Sequence, residues 1–196
     1  MPSISSICRW ASRTSQSVAF ALLAAGAAIP APPPPERVYL TVDEALKLAL
    51  PGCVLEKATV YLTDAQKKRA GELAGETVDL AIARPYVAKK DGKLVATAYV
   101  DVHKVRTLKE TVLVVVDAEQ RVTRIELLAF GEPEEYAPRA EWYAQFQGRK
   151  LDDELHLKRS IRGIAGASLT ARATTNAVRR VLAVHKVLGE TPEPKR

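Results

Sequence analysis

The sequence predicts an α+β fold, in which an antiparallel sheet is flanked by helices and a long helix lies at the C-terminal end. Between residues 78 and 130, apolar and β-branched runs follow one another through short turns, which is typical of antiparallel strands. Residues 169–188 are predicted as one amphipathic helix, whose apolar stripe consists of Ala173, Ala177, Val181, Val184 and Leu188.

The first 31 residues are typical of a secretory signal peptide. They contain no acidic residue, and Arg9 and Arg13 precede an apolar run over residues 18–29. Small residues at positions 25–28 and at Ala31 predict cleavage between Ala27 and Ala31, and the alternative is a short N-terminal membrane anchor that is not cut. Both interpretations place the rest of the protein outside the cytoplasm, with a periplasmic location in a cell that has that compartment.

The remaining chain divides into three parts. Residues 32–37 are a proline-rich linker, residues 38–189 are long enough to fold around one core, and residues 190–196 are predicted to be a disordered tail. Without the signal peptide the chain has 27 basic and 23 acidic residues, a net charge of +4. This mild excess does not indicate a nucleic-acid partner.

Several enzyme classes lose their main sequence support. The chain has no phosphate-binding G-x-x-x-x-G-K-[ST] loop, no H-E-x-x-H zinc motif and no G-x-S-x-G nucleophile elbow. Its two cysteines cannot form a CxxC pair or a four-cysteine zinc site, and its three histidines are too scattered to suggest a metal site. We therefore assign no catalytic residue and no metal ligand.

Two helices are expected in the first half of the folded region. Thr41 and Glu44 have the spacing of a capping box, and the helix that follows should end at Pro51. Asp64 is predicted to cap a second helix, which should end at Gly75. A third, short helix over residues 139–146 precedes the long final one.

Five segments alternate in hydrophobicity or are apolar throughout, and we predict them to be strands: 56–62, 80–87, 94–105, 111–116 and 122–130. Residues 89–92 form a hairpin turn between the second and the third of these. The sequence TVLVVV at 111–116 is almost continuously apolar, so this strand should be central and buried on both faces.

The segment from Gly163 to Thr170 is the most informative for function. Gly166 and Ala167 allow a second backbone or a phosphate to come close, and Ser168 and Thr170 can each cap the final helix. Free N–H groups at a helix start also hold anions. The pattern indicates a phosphate-sized site with a hydroxyl at its edge, and the alternative is tight packing of small residues.

The sequence AGASLTA at 165–171, followed by TTNAV in the final helix, resembles the S-G-A-T-x-T-S signature of the FMN-binding domain family. That family includes flavin subunits of the sodium-pumping NADH:quinone oxidoreductase and the Rnf complex, and the nitrous oxide reductase regulator. An Asp117-to-Val122 turn and a W-x-x-x-F-x-G pattern at Trp142 stand in the family's order. The resemblance spans roughly residues 99–187.

In that family a flavin transferase joins FMN to the signature hydroxyl through a phosphoester, using FAD and a divalent metal. The resemblance therefore implies FMN as the cofactor, covalent or tightly bound, with Ser168 as the attachment residue. Arg162 and Ala165 stand where the family commonly has Asp and Ser or Thr. A module that kept the fold and lost the flavin is thus an alternative.

The remaining cofactor-binding candidates surround this segment in sequence or follow from the resemblance. Thr170, Gly166, Ala167 and Leu169 belong to the segment itself. Glu132 stands where the family often has an acidic residue near the flavin, or is a solvated turn carboxylate. Trp142 either borders the flavin ring or packs in the core, and His103 and Arg106 either meet the flavin or occupy an exposed strand end.

These inferences predict an exported, membrane-associated electron carrier more than a stand-alone enzyme. Its partners would be the flavin transferase and membrane-bound or periplasmic electron-transfer proteins. A periplasmic flavin-dependent reductase is the other alternative, for which His103 is the nearby candidate proton donor.

Overall fold

The computed structural model describes residues 36–190. The predicted signal peptide, residues 32–35 of the predicted linker and residues 191–196 of the predicted tail lie outside the described residues. Arg37, assigned to the linker from sequence, is already part of a strand, and the last helix continues through Glu190. Within this range, no helix has the length and apolar composition needed to cross a membrane.

The described chain contains eight strands, and their bounds are β1 Arg37–Val38, β2 Val54–Lys57, β3 Val60–Tyr61, β4 Ile82–Ala83, β5 Tyr86–Lys90, β6 Lys93–Lys104, β7 Lys109–Asp117 and β8 Val122–Phe130. Six of them form one sheet in the order β1-β8-β7-β6-β5-β2, and every neighbouring pair is antiparallel. Strands β3 and β4 pair separately. The predicted α+β fold with an antiparallel sheet is confirmed.

Four helices accompany the sheet: α1 Val42–Ala49, α2 Asp64–Ala74, α3 Ala140–Tyr143 and α4 Ser168–Glu190. The capping box of α1 is present, because the Thr41 hydroxyl accepts from the Glu44 N–H and the Glu44 carboxylate accepts from the Thr41 N–H. For α2 the prediction was wrong by one residue. Thr63 is the N-cap, since its backbone is extended and its hydroxyl accepts from the Gln66 N–H, and Asp64 is already helical.

Strands 56–62 and 80–87, each predicted as one element, are both broken in two. The breaks face each other where the Ala58 N–H donates to the Pro85 carbonyl at 2.9 Å. Pro85 has no N–H to return a bond, so the ladder cannot continue through it. As a result β2 pairs with β5 in the main sheet, whereas β3 pairs with β4.

The main sheet separates two apolar cores. Along β7, Val112, Val114 and Val116 face α4 and α3, while Leu113 and Val115 face α1, and all five are at most 1% exposed. The prediction that 111–116 is buried on both faces is confirmed. A third core joins α2 to the C-terminal half of α4. The N-terminal half of α4 packs on the sheet through Ala171 and Val178, which belong to the same core as Val112 and Val114.

Candidate functional site

The start of α4 presents Ser168 to solvent. Ser168 is the first helical residue and is exposed, whereas Ala167 before it is 4% exposed. The Ala167 N–H donates to the Ile164 carbonyl, and the Ala167 carbonyl accepts the first helical bond, from Ala171, at 3.1 Å. Ala167 therefore stands at the N-cap, and the prediction that Ser168 or Thr170 caps the helix was wrong. Both hydroxyls lie inside the first turn.

Gly166 makes this turn possible. Its φ is +78°, in the left-handed region that a residue with a Cβ adopts only at a cost. The chain can then reverse between Ile164 and Ala167 and enter α4 with Ser168 outward. The first N–H groups of a helix have no carbonyl partner within it, so those of Ser168, Leu169 and Thr170 point out of the helix start. An anion placed there would meet N–H donors and the positive helix end.

A cavity of about 180 Å³ borders this helix start, lined by Val105, Arg106, Glu132, Tyr136, Gly166, Ala167, Ser168, Leu169 and Thr170. The structure therefore brings together seven of the nine sequence-predicted residues. The buried side chain of Thr170, 1% exposed, forms part of its wall. The volume is below the 300–1,000 Å³ typical of sites that enclose a whole drug-sized molecule. It suits the phosphate end of a nucleotide, with any attached ring lying outside.

Glu132 holds the opposite wall of the cavity in place. Its Oε1 accepts hydrogen bonds from the backbone N–H groups of Arg106 at 3.2 Å, Thr107 at 2.7 Å and Leu108 at 2.8 Å. Partial burial would raise the pKa of Glu132, but these N–H donors outweigh it and hold the pKa below its ordinary value. The carboxylate thus stays ionised and fixes the β6–β7 turn that carries Arg106.

Gly131 allows this turn to approach so closely. A Cβ at Gly131 would lie 3.0 Å from the Leu108 Cβ and 3.2 Å from the Lys109 carbonyl oxygen. The Gly131 N–H itself donates to that carbonyl at 2.8 Å. The glycine before Glu132 therefore brings the carboxylate within reach of the three N–H groups.

His103 does not line this cavity, and it is not an exposed strand end either. Its ring is 7% exposed and lies between two carboxylates, with Nδ1 3.0 Å from Asp101 and Nε2 2.8 Å from Glu110. Burial would lower the pKa of His103, but the two carboxylates outweigh burial and raise it to about 9. The ring is therefore a buried cation at neutral pH. It lines a separate cavity of about 660 Å³ beside β6.

Glu110 connects this histidine to the helix that carries Ser168. The carboxylate is 0% exposed and also accepts from the Tyr143 hydroxyl at 2.7 Å and the Thr174 hydroxyl at 2.7 Å. Thr174 lies one turn after Thr170 and donates to its carbonyl as well, at 2.9 Å. Glu110 thus ties β7, β6, α3 and α4 together directly behind the cavity wall.

The polar cluster continues along the inner face of α4. Arg180 forms a bidentate pair with Asp101, with Nη2 2.8 Å from Oδ1 and Nε 3.1 Å from Oδ2, and it also pairs with Glu76. Burial would raise the pKa of Asp101, but bonds from His103 and Arg180 outweigh it and lower the pKa. The buried carboxylates and cations of this cluster therefore neutralise one another almost completely.

Trp142 packs in the core and does not line the cavity at Ser168. It is 9% exposed, and its ring meets that of Phe146 edge to face at a centroid distance of 5.3 Å. Its Nε1–H donates to the Arg162 carbonyl at 2.7 Å, while the Gln145 side chain accepts from the Arg162 N–H at 2.9 Å. Trp142 thus fixes the segment that leads to Gly166, and of its two expected roles, core packing rather than contact with the flavin ring is the one found.

Sequence reasoning missed Glu110, Tyr143 and Thr174, and it missed Val105 and Tyr136 in the cavity wall. A glutamate next to an apolar run is usually exposed, so Glu110 gave no signal of its own. The parity of β7 could have found it, because Glu110 shares a face with Val112 and Val114. Its partners come from distant segments, and no local pattern predicts them.

Residues 108–183 match the family model of the FMN-binding domain. This part of the chain is an FMN-binding domain. The match begins at Leu108 in the turn that Glu132 holds and ends at Ala183 in α4. It includes Glu110, Tyr143, Thr174 and Ser168 but not His103 or Arg106. No curated protein matches the chain.

FMN is the cofactor of this domain, and the geometry at Ser168 fits its phosphate end. The helix start offers N–H donors, the Ser168 and Thr170 hydroxyls border the cavity, and Arg106 adds a positive charge. Arg162 and Ala165, the two departures from the family signature, are exposed and do not belong to the cavity lining.

Proposed function

We propose that this protein is an electron-transfer flavoprotein in which FMN is joined through a phosphoester to Ser168. The observation that carries the proposal is the exposed Ser168 hydroxyl at the first position of α4, bordering a phosphate-sized cavity inside an FMN-binding domain. A serine that only capped the helix would lie one position earlier and bond to the N–H groups of the first turn.

The attachment reaction needs an external donor, for which we propose FAD bound to a flavin transferase with a divalent metal. The Ser168 Oγ forms a bond to the phosphorus on the flavin side of FAD, and the pyrophosphate bond breaks. AMP leaves with the bridging oxygen, and the hydroxyl proton is released to water. The exposure of Ser168 supports this step, because the hydroxyl must enter the active site of another protein.

Bound FMN supplies one- and two-electron redox chemistry. The N–H groups of the first turn of α4 and the Arg106 guanidinium stabilise the phosphate charge, and Val105, Tyr136 and Leu169 provide an apolar rim. Glu132 keeps Arg106 in place through the backbone of its turn. These groups position the cofactor, and none of them acts on a substrate. The arrangement therefore favours an electron carrier over an enzyme.

The reductase alternative is less well supported. It needs a proton donor beside the flavin, and both nitrogens of His103 are bonded to carboxylates in a different cavity. We also propose that the protein is exported and works with membrane-bound or periplasmic electron-transfer partners. The signal-like composition of residues 1–31 supports this location, and fractionation of cells that express the full chain would test it.

The attachment is tested by producing the protein with and without a flavin transferase and then denaturing it. We expect yellow colour and flavin fluorescence to stay with the denatured chain only when the transferase is present. Ser168→Ala should lose both, whereas Ser168→Thr should keep them. Ser160→Ala is the matched control, because the Ser160 hydroxyl donates to the Glu154 carbonyl away from the cavity. Retained flavin in Ser168→Ala would refute the assignment.

A further inference from the structure

The main sheet has an uncovered edge, because β5 ends before β6 does. Tyr86, the first residue of β5, pairs with Ala98, whereas β6 continues to Lys104. The chain before Tyr86 leaves the sheet at Pro85, and Ile82–Ala83 belongs to the separate β3–β4 pair. From residue 99 onward, β6 therefore has β7 on one side and no strand on the other within residues 36–190.

The register of the sheet determines which groups this edge presents. The Val105 N–H donates to the Leu108 carbonyl at 3.0 Å, so these two residues form a hydrogen-bonded pair at the end of β6 and β7. Hydrogen-bonded and non-hydrogen-bonded pairs alternate along an antiparallel ladder. The N–H and carbonyl groups of Val100, Val102 and Lys104 therefore point away from β7, and no hydrogen bond from residues 36–190 satisfies them.

The cavity of about 660 Å³ that His103 lines follows this edge, and we call it the edge groove. Residues 99–103 of β6 all line it, although their side chains alternate between the two faces of the sheet. What these five consecutive residues share is the edge of their strand. Most of segment 77–86 also belongs to the lining. The groove thus lies beside β6, where one more strand would extend the sheet.

The edge groove exposes apolar side chains on one face of the sheet. Val102 is 54% exposed and lies on the face that packs against α1, and Val42 of α1 and Tyr86 also belong to the lining. Leu80, which is 38% exposed, adds to this surface from segment 77–86. A strand added beside β6 would place every second side chain over this apolar surface.

The exposed charges of the edge groove favour an acidic occupant. Lys57 and Arg84 line it, and Lys104 is exposed at its end. None of these three cations forms an ion pair in the part of the chain that the structure describes. Asp101 belongs to the buried cluster and is already paired, so Asp79 is the one exposed carboxylate of the lining.

We infer that the edge groove binds an extended, acidic segment of a partner protein, which adds to the sheet as a strand beside β6. Unpaired backbone groups at every second residue fit the backbone of another strand, and such main-chain bonds supply the affinity in this mode of recognition. The exposed cations select acidic side chains. The inference goes beyond the proposed function, because strand addition at β6 does not require the flavin.

Amide hydrogen exchange tests the added strand directly. The probe is the acetylated and amidated peptide Glu-Glu-Val-Thr-Val-Thr-Glu-Glu, added to the isotope-labelled full chain and followed by NMR. At saturation, the amides of Val100, Val102 and Lys104 should exchange about tenfold more slowly than in the free protein. The amides of Asp101 and His103 are the internal control, because they bond to β7 and should exchange slowly in both states.

Two double variants test the contribution of charge to the affinity for this peptide. Lys57→Glu/Arg84→Glu should weaken binding about tenfold. Lys90→Glu/Lys93→Glu changes the net charge equally at the far end of the β5–β6 hairpin, outside the groove lining, and should change the affinity less than about twofold. The basic peptide Lys-Lys-Val-Thr-Val-Thr-Lys-Lys should show the opposite response to Lys57→Glu/Arg84→Glu.

A pair of substitutions at Val102 tests the backbone contribution. Val102→Pro removes one N–H from the uncovered edge, where a strand tolerates proline because that N–H has no partner. It should abolish peptide binding and leave the exchange of the Asp101 and His103 amides slow. Val102→Thr keeps the N–H and the branched side chain, so it should bind the peptide as the wild type does.

The remaining outcomes separate the other occupants of the edge. If Val100 and Val102 were protected in the free protein in proportion to protein concentration, a second copy of this chain would cover the edge. Protection at every concentration would mean that a segment outside residues 36–190 covers it. Either result would overturn the inference, as would equal binding of the acidic and basic peptides or no protection by the acidic one. Failure of flavin loading would overturn the proposed function alone.

Discussion

The Nε2 atom of His103 lies 2.8 Å from Oε2 of Glu110, and the glutamate is completely buried. The two residues are direct cross-strand partners in β6 and β7, so the register of the sheet sets their separation. Through Thr174, the same carboxylate reaches α4 one turn beyond the wall of the flavin cavity. A buried ion pair thus links the sheet to the helix that carries Ser168.

The first prediction concerns stability at high pH. The folded pKa of His103 is raised from 6.5 to about 9. The contribution of His103 to the free energy of unfolding is therefore fully present below pH 6.5 and is lost as pH rises through 9. The shift corresponds to roughly 3 kcal/mol at most. Urea unfolding from pH 6 to 10 should show this decline in the wild type and not in His103→Gln. His156→Gln is the control and should decline like the wild type. The same decline in His103→Gln would contradict the prediction.

The second prediction concerns Glu110. Glu110→Ala leaves His103 charged with one carboxylate fewer, and it removes the acceptor of Tyr143 and Thr174. Loss of one partner of a buried pair costs about 3–5 kcal/mol. Glu119→Ala, an exposed turn residue, should cost less than about 0.5 kcal/mol. Equal midpoints of urea unfolding for the two variants would show that the cluster does not stabilise the fold.

The third prediction concerns Glu132 and flavin loading. Glu132→Ala frees three N–H groups and the turn that carries Arg106, and hydrogen bonds to a charged group are worth about 1.5–3 kcal/mol. We expect a clear loss of FMN incorporation, measured as the ratio of flavin absorbance to protein. Glu135→Ala should load normally, because Glu135 lines another groove. Normal loading in Glu132→Ala would show that the turn is not needed.

The fourth prediction separates two glycines of the signature segment. Gly166→Ala forces a Cβ into the left-handed region and should cost about 1 kcal/mol while reducing FMN incorporation. Gly163→Ala is the control, because it has no positive φ and open space at the Cβ position. Thermal unfolding and flavin absorbance measure both effects. If Gly163→Ala had the larger effect, the turn at Gly166 would not be what presents Ser168.

Local chemistry made much of the fold predictable. The capping box at Thr41 and the doubly buried strand at 111–116 follow from neighbouring residues alone, and both are confirmed. The split of 56–62 was missed because it depends on Pro85, which only becomes its neighbour through pairing. Arg179 is not part of the predicted apolar stripe of α4, yet it is 5% exposed and donates to carbonyls at the end of α2.

In the candidate site, as in the fold, the features set by neighbouring residues were predictable and those set by distant residues were not. Gly166, Ser168 and Thr170 are adjacent in sequence, so their grouping at a helix start needs no tertiary information. His103 was placed wrongly because its environment is set by Glu110 across the sheet and by Asp101 two residues before it. Sequence identifies the residue types for such a cluster but not which of them become partners.

The identity of the modified residue tests the central claim most directly. Protein produced with a flavin transferase should be digested, and its peptides sequenced by tandem mass spectrometry. We predict that the peptide containing Ser168 carries the mass of FMN less one water, with fragment ions that place it on the serine. An unmodified Ser168 peptide, or FMN on Thr170 in its place, would contradict the account.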